Sequence, residues 1–375
     1  MQLKNILVIS SVTEIDNNGL AVVFKPFIKY LRDSGFQFNL VYFKHCNLPE
    51  VKSVEDQKII ILKPLSKFEI LSSFFYRNDS YYSNKFYDYL NPKSINSTII
   101  FFGSTYDPII DYLSIKLNRK VFVHCNDSIY LFESRRTAYF NNVFRKCLSK
   151  YIERKRLLND NLTLIYVGKR DLDFANILSS KENSFFLPLG VDCDKFTPGK
   201  YNRTEKKIIL FTGDLRYQPN IEAVELLVKS ILPKLHKDYV LHIVGRSPSN
   251  ELFNLCNVNR VFLLPDVVDI NLEYQKAFLF VAPMFSGAGM KNKILEALSC
   301  AIPVITTNIE KYSFKSIPDG VIFCVSVSDI VNEINSLLEN TMLWEKLSKE
   351  ARLHVKENYS WELRNRNLFE ILQSN

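Results

Sequence analysis

Gly287, Gly289, Lys293 and Glu296 fall within one short stretch, Ala282-Pro-Met-Phe-Ser-Gly-Ala-Gly-Met-Lys-Asn-Lys-Ile-Leu-Glu-Ala-Leu-Ser-Cys-Ala-Ile-Pro-Val-Ile-Thr306. Glycines let backbone N–H groups approach a ligand without a Cβ in the way. A helix entered from such a turn aims its free N–H groups and the positive end of its dipole at whatever lies in front, which favours phosphate. Gly289, Lys293 and Glu296 are four and three residues apart, a spacing that sets them on one helix face. Backbone N–H groups after the turn, at Met290 and Lys291, would join the Lys293 ammonium on a phosphate. The Glu296 carboxylate would take a hydroxyl-rich group such as a ribose. Together these are the outline of a nucleotide-sugar site. The same residues are also compatible with an ordinary strand-to-helix turn carrying a solvated Lys293–Glu296 pair.

The elements that must position this stretch are legible as apolar runs. Ile6–Ser10, Phe38–Phe43, Lys58–Leu62, Thr98–Phe102, Lys120–His124, Leu162–Val167 and Ser184–Leu187 read as buried strands alternating with helical segments. Gly190–Gly199 and the charged run Lys200–Lys207 interrupt that rhythm as a linker would. It restarts with Ile208–Thr212, Val240–Val244, Val261–Leu264, Phe278–Val281, Pro303–Thr306 and Val321–Cys324. Continuous apolar strands separated by helices predict two doubly wound α/β domains with parallel sheets covered on both faces. Ligands of such sheets gather outside the carboxyl ends of the strands, so two facing domains would make a cleft from both sets of loops.

A chain of 375 residues, 47% of them hydrophobic, suits two domains with a core each. No stretch reaches the ~18 uninterrupted apolar residues of a membrane span, and the start Met-Gln-Leu-Lys-Asn leads into a strand rather than a signal sequence, so a soluble, cytoplasmic protein is expected. Cys46, Cys125, Cys147, Cys193, Cys256, Cys300 and Cys324 lie far apart without metal-ligand spacing and read as reduced thiols. The formal net charge of +8 is carried by residues 1–190, with 26 Lys and Arg against 18 Asp and Glu, while residues 191–375 hold 22 of each sign. Such asymmetry suits an anionic partner, nucleic acid or an acidic membrane surface, and no nucleic-acid-binding module is recognisable. The densest basic clusters are Arg135-Arg136, Arg145-Lys146 and Arg154-Lys155-Arg156.

Four segments in order, Phe211-Thr-Gly-Asp-Leu-Arg-Tyr-Gln-Pro-Asn-Ile-Glu-Ala-Val224, Leu241-His-Ile-Val-Gly-Arg-Ser-Pro248, Pro265-Asp-Val-Val-Asp269 and the glycine turn before Lys293, closely resemble the donor domain of glycosyltransferase family 4. Leu187-Pro-Leu-Gly-Val-Asp-Cys-Asp-Lys-Phe-Thr-Pro198 adds the linker motif of that family, with Leu189 where asparagine is frequent. The resemblance implies a retaining transferase of the two-domain GT-B type (glycosyl transferases group 1). Residues 1–190 would form an acceptor-side Rossmann-like domain, 191–204 a linker, 205–356 the nucleotide-sugar donor domain, and 357–375 a terminal helix packing back on the first domain.

By the same resemblance Gly213 would approach the phosphates, Lys293 would neutralise the diphosphate, and Glu296 would hold the ribose, with Arg216 as a candidate second cation. Gly19, in Asp16-Asn-Asn-Gly-Leu20, would meet the diphosphate from the first domain. Many relatives carry two glutamates eight residues apart, but Ala288 occupies the first of those positions, leaving a Gly-x-Gly-x-x-x-Lys-x-x-Glu pattern. In the first domain an aspartate-serine pair, Asp127-Ser128, and the strand end Tyr166-Val-Gly168 are similar to one sugar-transferase branch, which implies that His124 or Asp127 contacts the donor sugar or positions the acceptor hydroxyl. A histidine satisfied by its neighbours is the plainer account of His124.

Departure of a diphosphate builds charge on phosphate oxygens, and N–H donors with an ammonium would stabilise it without a metal or other cofactor. Asp171/Asp173 and Asp192/Asp194 mimic an Asp-x-Asp metal motif, one at a helix start and one in the linker. The aromatic and basic stretch Lys67–Leu90 suits a lipid-facing surface, an acceptor groove or simple burial. The expected activity is therefore transfer from a nucleotide diphosphate-sugar to a glycan or lipid-linked acceptor in cell-surface polysaccharide assembly, with peripheral contact to an anionic membrane through the basic half. A non-catalytic nucleotide-sugar-binding subunit and a nucleotide-sugar epimerase are the alternatives.

Overall fold

The computed structural model describes residues 6–12, 20–45, 58–62, 98–103, 107, 109–116, 118–135, 141–199, 207–286, 290–314 and 316–374. The turn Gly287–Gly289, Gly19 with the loop around it, and the stretch Lys67–Leu90 lie outside the described residues. Contacts divide the chain into one unit of Met1–Leu187 with Asn365–Asn375 and a second of Pro188–Arg364.

Among the described residues the first unit contains seven strands, β1 (Ile6–Ser10), β2 (Phe38–His45), β3 (Lys58–Leu62), β4 (Thr98–Phe102), β5 (Val121–Cys125), β6 (Leu162–Tyr166) and β7 (Ser184–Phe186). Their order is β3-β2-β1-β4-β5-β6-β7, and every pairing is parallel. Every residue of β1, β5 and β6 is buried, as a parallel sheet covered on both faces requires. Helix α1 (Ala21–Asp33) buries Ala21, Val23, Phe24, Phe27, Ile28 and Leu31, a helical spacing that lays one face on the sheet. Helices α2 (Ile129–Arg135), α3 (Asn141–Leu157) and α4 (Lys169–Leu178) follow β5 and β6.

The second unit contains β8 (Lys207–Asp214), α5 (Gln218–Leu226), β9 (Tyr239–Arg246), α6 (Asn250–Cys256), β10 (Val261–Pro265), α7 (Ile270–Lys276), β11 (Leu279–Ala282), α8 (Asn292–Ser299), β12 (Val304–Thr307), β13 (Val321–Cys324), α9 (Val327–Glu339) and α10 (Thr341–Asn358). Its parallel sheet runs β10-β9-β8-β11-β12-β13, so the winding reverses between β8 and β11. Ligand crevices of doubly wound sheets open at such reversals.

Part of the segment read as a linker is integral to the second unit. Phe196 is buried, its carbonyl accepts from Ser299 Oγ at 2.8 Å and Arg352 at 2.9 Å, and Gln275 donates to Thr197 O at 3.2 Å. The last helix, α11 (Trp361–Ser374), begins in the second unit and ends in the first. There the Phe369 ring meets Phe36 at 4.5 Å, Tyr30 at 5.4 Å and Phe27 at 6.3 Å, and Asn365 Nδ2 donates to Pro26 O at 3.2 Å.

Candidate nucleotide-sugar site

Lys293 and Glu296 stand on α8, whose amino end follows β11 at the reversal of the second sheet. The helix has Lys291 at its N-cap and no side-chain cap, which leaves first-turn N–H groups and the positive dipole end to a ligand. Three hydrogen-bond partners take the Lys293 ammonium: Thr212 O at 3.1 Å, Asn220 Oδ1 at 2.7 Å and the Met284 sulfur at 3.8 Å. Thr212 belongs to β8 and Met284 lies just past β11, so the cation bridges the two strands flanking the reversal. It also rests over the Phe211 ring, 4.2 Å from the centroid, a favourable cation–π placement.

Burial pushes the Lys293 ammonium down to about 7, the neighbouring Lys291 charge adds to that, and Glu310 and Glu296 pull the other way. Glu310, in the turn Asn308–Ser313 after β12, is 2% exposed. No spacing in the sequence marks it as part of this site, because it joins through the fold of another strand end.

Glu296 is held by Tyr274. The buried phenol donates to Glu296 Oε2 at 2.9 Å, lies 3.3 Å from the Lys293 carbonyl, and stands 2.9 Å from Thr212 Oγ1. Burial raises the Glu296 carboxyl above the usual range, an effect moderated by that phenol. Tyr274 thus ties α7, α8 and β8 together beneath the two charged groups. Nothing in its spacing marks this role, because an aromatic residue on a half-buried helix looks like core.

Gly213 and Asn220 are a matched pair. A Cβ on Gly213 would come within 2.6 Å of Asn220 Nδ2 and 2.8 Å of its Cγ, so the glycine makes room for the amide. Asn220, near the start of α5, does not cap that helix; Tyr217 is the N-cap, and the amide turns inward to Lys293 and donates to Asp214 O at 2.9 Å. Arg216 is exposed and paired bidentately with Asp214, at 2.9 and 2.6 Å, which holds the Asp214 carboxyl below its usual range. Met290 is buried, and its sulfur accepts from Leu189 N at 3.4 Å. This tethers the residue after the glycine turn to the segment leading into the unit. Ser286, just before that turn, donates to Glu222 Oε2 at 2.6 Å.

The candidates of the first unit sit at the carboxyl end of β5. His124 is 2% exposed and its ring stacks on Phe102 with centroids 5.4 Å apart. Asp127 keeps partial exposure and borders a small cavity with Cys125, Glu153, Arg156 and Tyr166. The Asp127-Ser128 and Tyr166-Val-Gly168 signatures meet on one buried carboxylate, which the sequence did not single out. Glu153 of α3 accepts from Ser128 Oγ at 2.8 Å, Tyr130 N at 3.1 Å and the Tyr166 phenol at 3.0 Å, while Asp171 accepts from Ser128 N at 2.8 Å. Gly168 lacks a Cβ where one would collide with the Asp171 carboxylate. Asp171 is thereby a structural acceptor, Asp173 pairs with Lys169 at 2.6 Å, and Asp192 caps the amides of Asp194 and Lys195. Among the described residues no group of three His, Cys, Asp or Glu side chains is arranged to hold a metal ion.

Residues 206–340, which span β8 through α9, match the family model of glycosyl transferases group 1. Over that segment the second unit is similar to glycosyl transferases group 1. The whole chain superposes on solved structures of sugar-transferring and related proteins at low identity. Sucrose-phosphate synthase from Thermosynechococcus elongatus gives a TM-score of 0.75 at 14% identity over 99% of this chain and 98% of that one. WaaG, a glycosyltransferase involved in lipopolysaccharide biosynthesis, gives 0.68 at 14% identity over 98% and 99%. Anabaena HepE in complex with UDP-glucose gives 0.66 at 13% identity over 99% and 100%. These likenesses establish the GT-B fold, two Rossmann-like units in one chain. No curated protein matches the sequence. The segment matched by the family model contains Gly213, Asn220, Tyr274, Lys293 and Glu296.

Proposed function

We propose that the protein is a retaining glycosyltransferase that moves a hexosyl group from a nucleotide diphosphate-sugar to a glycan or lipid-linked acceptor in the assembly of cell-surface polysaccharide. The observation that carries this reading is the Lys293 ammonium at the reversal of the second sheet, next to an uncapped helix start and one helical turn from Glu296. The N–H groups at Met290 and Lys291 and the turn Gly287–Gly289 would receive the diphosphate, with Lys293, held in place by Asn220, as the cation at its oxygens. Glu296, aimed by Tyr274, would accept from ribose hydroxyls.

As the glycosidic bond breaks, negative charge grows on the leaving diphosphate. A preorganised cation and backbone donors lower that barrier more than they stabilise the ground state. This chemistry is proposed to need neither metal nor organic cofactor, since the chain supplies the charge itself. In the first unit Asp127, which keeps surface exposure, is the better candidate for an acceptor contact than the buried His124. HepE, crystallised with UDP-glucose, supports a nucleotide-sugar donor by likeness of fold.

A thermal-shift panel of nucleoside diphosphates and nucleotide sugars tests the donor site. A true donor at about a hundred times its Kd stabilises by ~2.7 kcal/mol. The expected result is a shift with one nucleotide family that disappears in Glu296→Ala. Absence of any shift across the panel rejects the reading. Product analysis by NMR then reports whether the anomeric configuration is kept and whether an acceptor is required.

A further inference from the structure

Helix α3 (Asn141–Leu157) carries six basic side chains, Arg145, Lys146, Lys150, Arg154, Lys155 and Arg156, and one acidic, Glu153. The fold sorts them. Glu153 and Arg156 are buried on the inner face, where Glu153 serves Ser128 and Tyr166 and Arg156 donates to Asp107 O at 3.0 Å. Lys155 lies 3.9 Å from Asp111. The outer face keeps Lys146, Lys150 and Arg154 on one stripe with Val143, Tyr151 and the following Leu158, spaced three or four residues apart as neighbours along a helix are. Val143 is 65% exposed, Tyr151 50% and Leu158 48%. Among the described residues no carboxylate lies within ion-pairing distance of Arg145, Lys146, Lys150 or Arg154.

We propose that this outer face of α3 docks on an anionic lipid surface. Charge complementarity selects a partner rich in phosphate, since the stripe offers cations and no anion. The exposed valine, tyrosine and leucine select lipid over nucleic acid: apolar side chains among cations suit the headgroup boundary, whereas a phosphate-tracking groove gains little from them. The buried inner face fixes the orientation, because Glu153 and Arg156 are committed to the core and the helix cannot roll. Among the described residues no helix is long and apolar enough to cross a membrane, so the contact is peripheral. The inference does not rest on the sugar-transfer reading and is tested without donor.

The test is flotation of the full-length protein with vesicles of phosphatidylcholine alone or mixed about 7:3 with phosphatidylglycerol. Binding to the mixed vesicles and not to the neutral ones is expected, weakening as salt rises from about 0.05 to 0.5 M. A Lys150→Gln, Arg154→Gln double variant should bind about 30-fold more weakly, from roughly fivefold per cation near an anionic surface. A Tyr151→Ser, Leu158→Ser double variant should lose vesicle binding while keeping the same melting transition as the parent. Equal binding to both vesicle types, or unchanged binding by both variants, overturns the proposal. So does binding to a single-stranded RNA with none to vesicles.

Discussion

The phenol of Tyr274 donates to the Glu296 carboxylate at 2.9 Å while its oxygen stands 2.9 Å from Thr212 Oγ1, so one buried hydroxyl fixes the carboxylate proposed to hold a ribose. Tyr274→Phe removes that hydroxyl without changing the packing against Phe196 and Phe280. Leaving a buried carboxylate and hydroxyl short of a partner costs about 1–3 kcal/mol, expressed as a lower Tm. Because Glu296 also loses its aim, the KM for the donor should rise while kcat falls less. A Tm drop with unchanged KM would show that Tyr274 supports the fold alone.

Lys293 governs the pH dependence. Its folded value of about 7 lies below the ordinary 10.5, so between those values the unfolded chain holds a proton that the folded chain has released. The unfolded state then binds more protons, and stability rises with pH through that window. A bound diphosphate reverses the shift by pairing with the ammonium, so nucleotide binding near neutral pH takes up a proton and weakens by up to about tenfold per pH unit above 7. Calorimetry in two buffers of different ionisation enthalpy measures the uptake. Lys293→Met should abolish the pH dependence, keep the fold, and slow transfer by about 10²–10³-fold.

Gly213→Ala probes the pair formed with Asn220. The new Cβ would lie 2.6 Å from the amide nitrogen and push Asn220 away from Lys293. Strain of this kind costs about 1–3 kcal/mol. Donor affinity should fall although no charged group is altered, and Asn220→Ala should produce a similar loss. Wild-type affinity in both variants would show that the Lys293–Asn220 bond is irrelevant to binding.

Phe369→Ala tests the return of the last helix to the first unit. Its ring packs against Phe36, Tyr30 and Phe27, and deleting such a side chain costs about 3–5 kcal/mol. Hydrogen exchange should show lost protection in α1 and in the end of α11, with the β8–β11 strands unaffected.

Each apolar run in the sequence lies on a strand among the described residues, most plainly at β1, β5, β6, β11 and β12, because a parallel strand buried on both faces must be apolar along its length, and that leaves a continuous signature. Lys293 and Glu296 were legible for a similar reason, since two residues three apart on a helix share a face in any fold. The amino acids alone therefore determined the two doubly wound units and the chemistry offered by α8. Tertiary structure alone decided which groups surround that chemistry. Thr212, Asn220, Met284 and Tyr274 reach α8 from separate strands and helices, and Glu310 acts on it by charge from a later turn. It also decided that Arg216 pairs with Asp214 and that the paired signatures of the first unit converge on Glu153. Such assignments depend on distances between residues far apart in the chain, and these are set only when the sheets close and their helices pack.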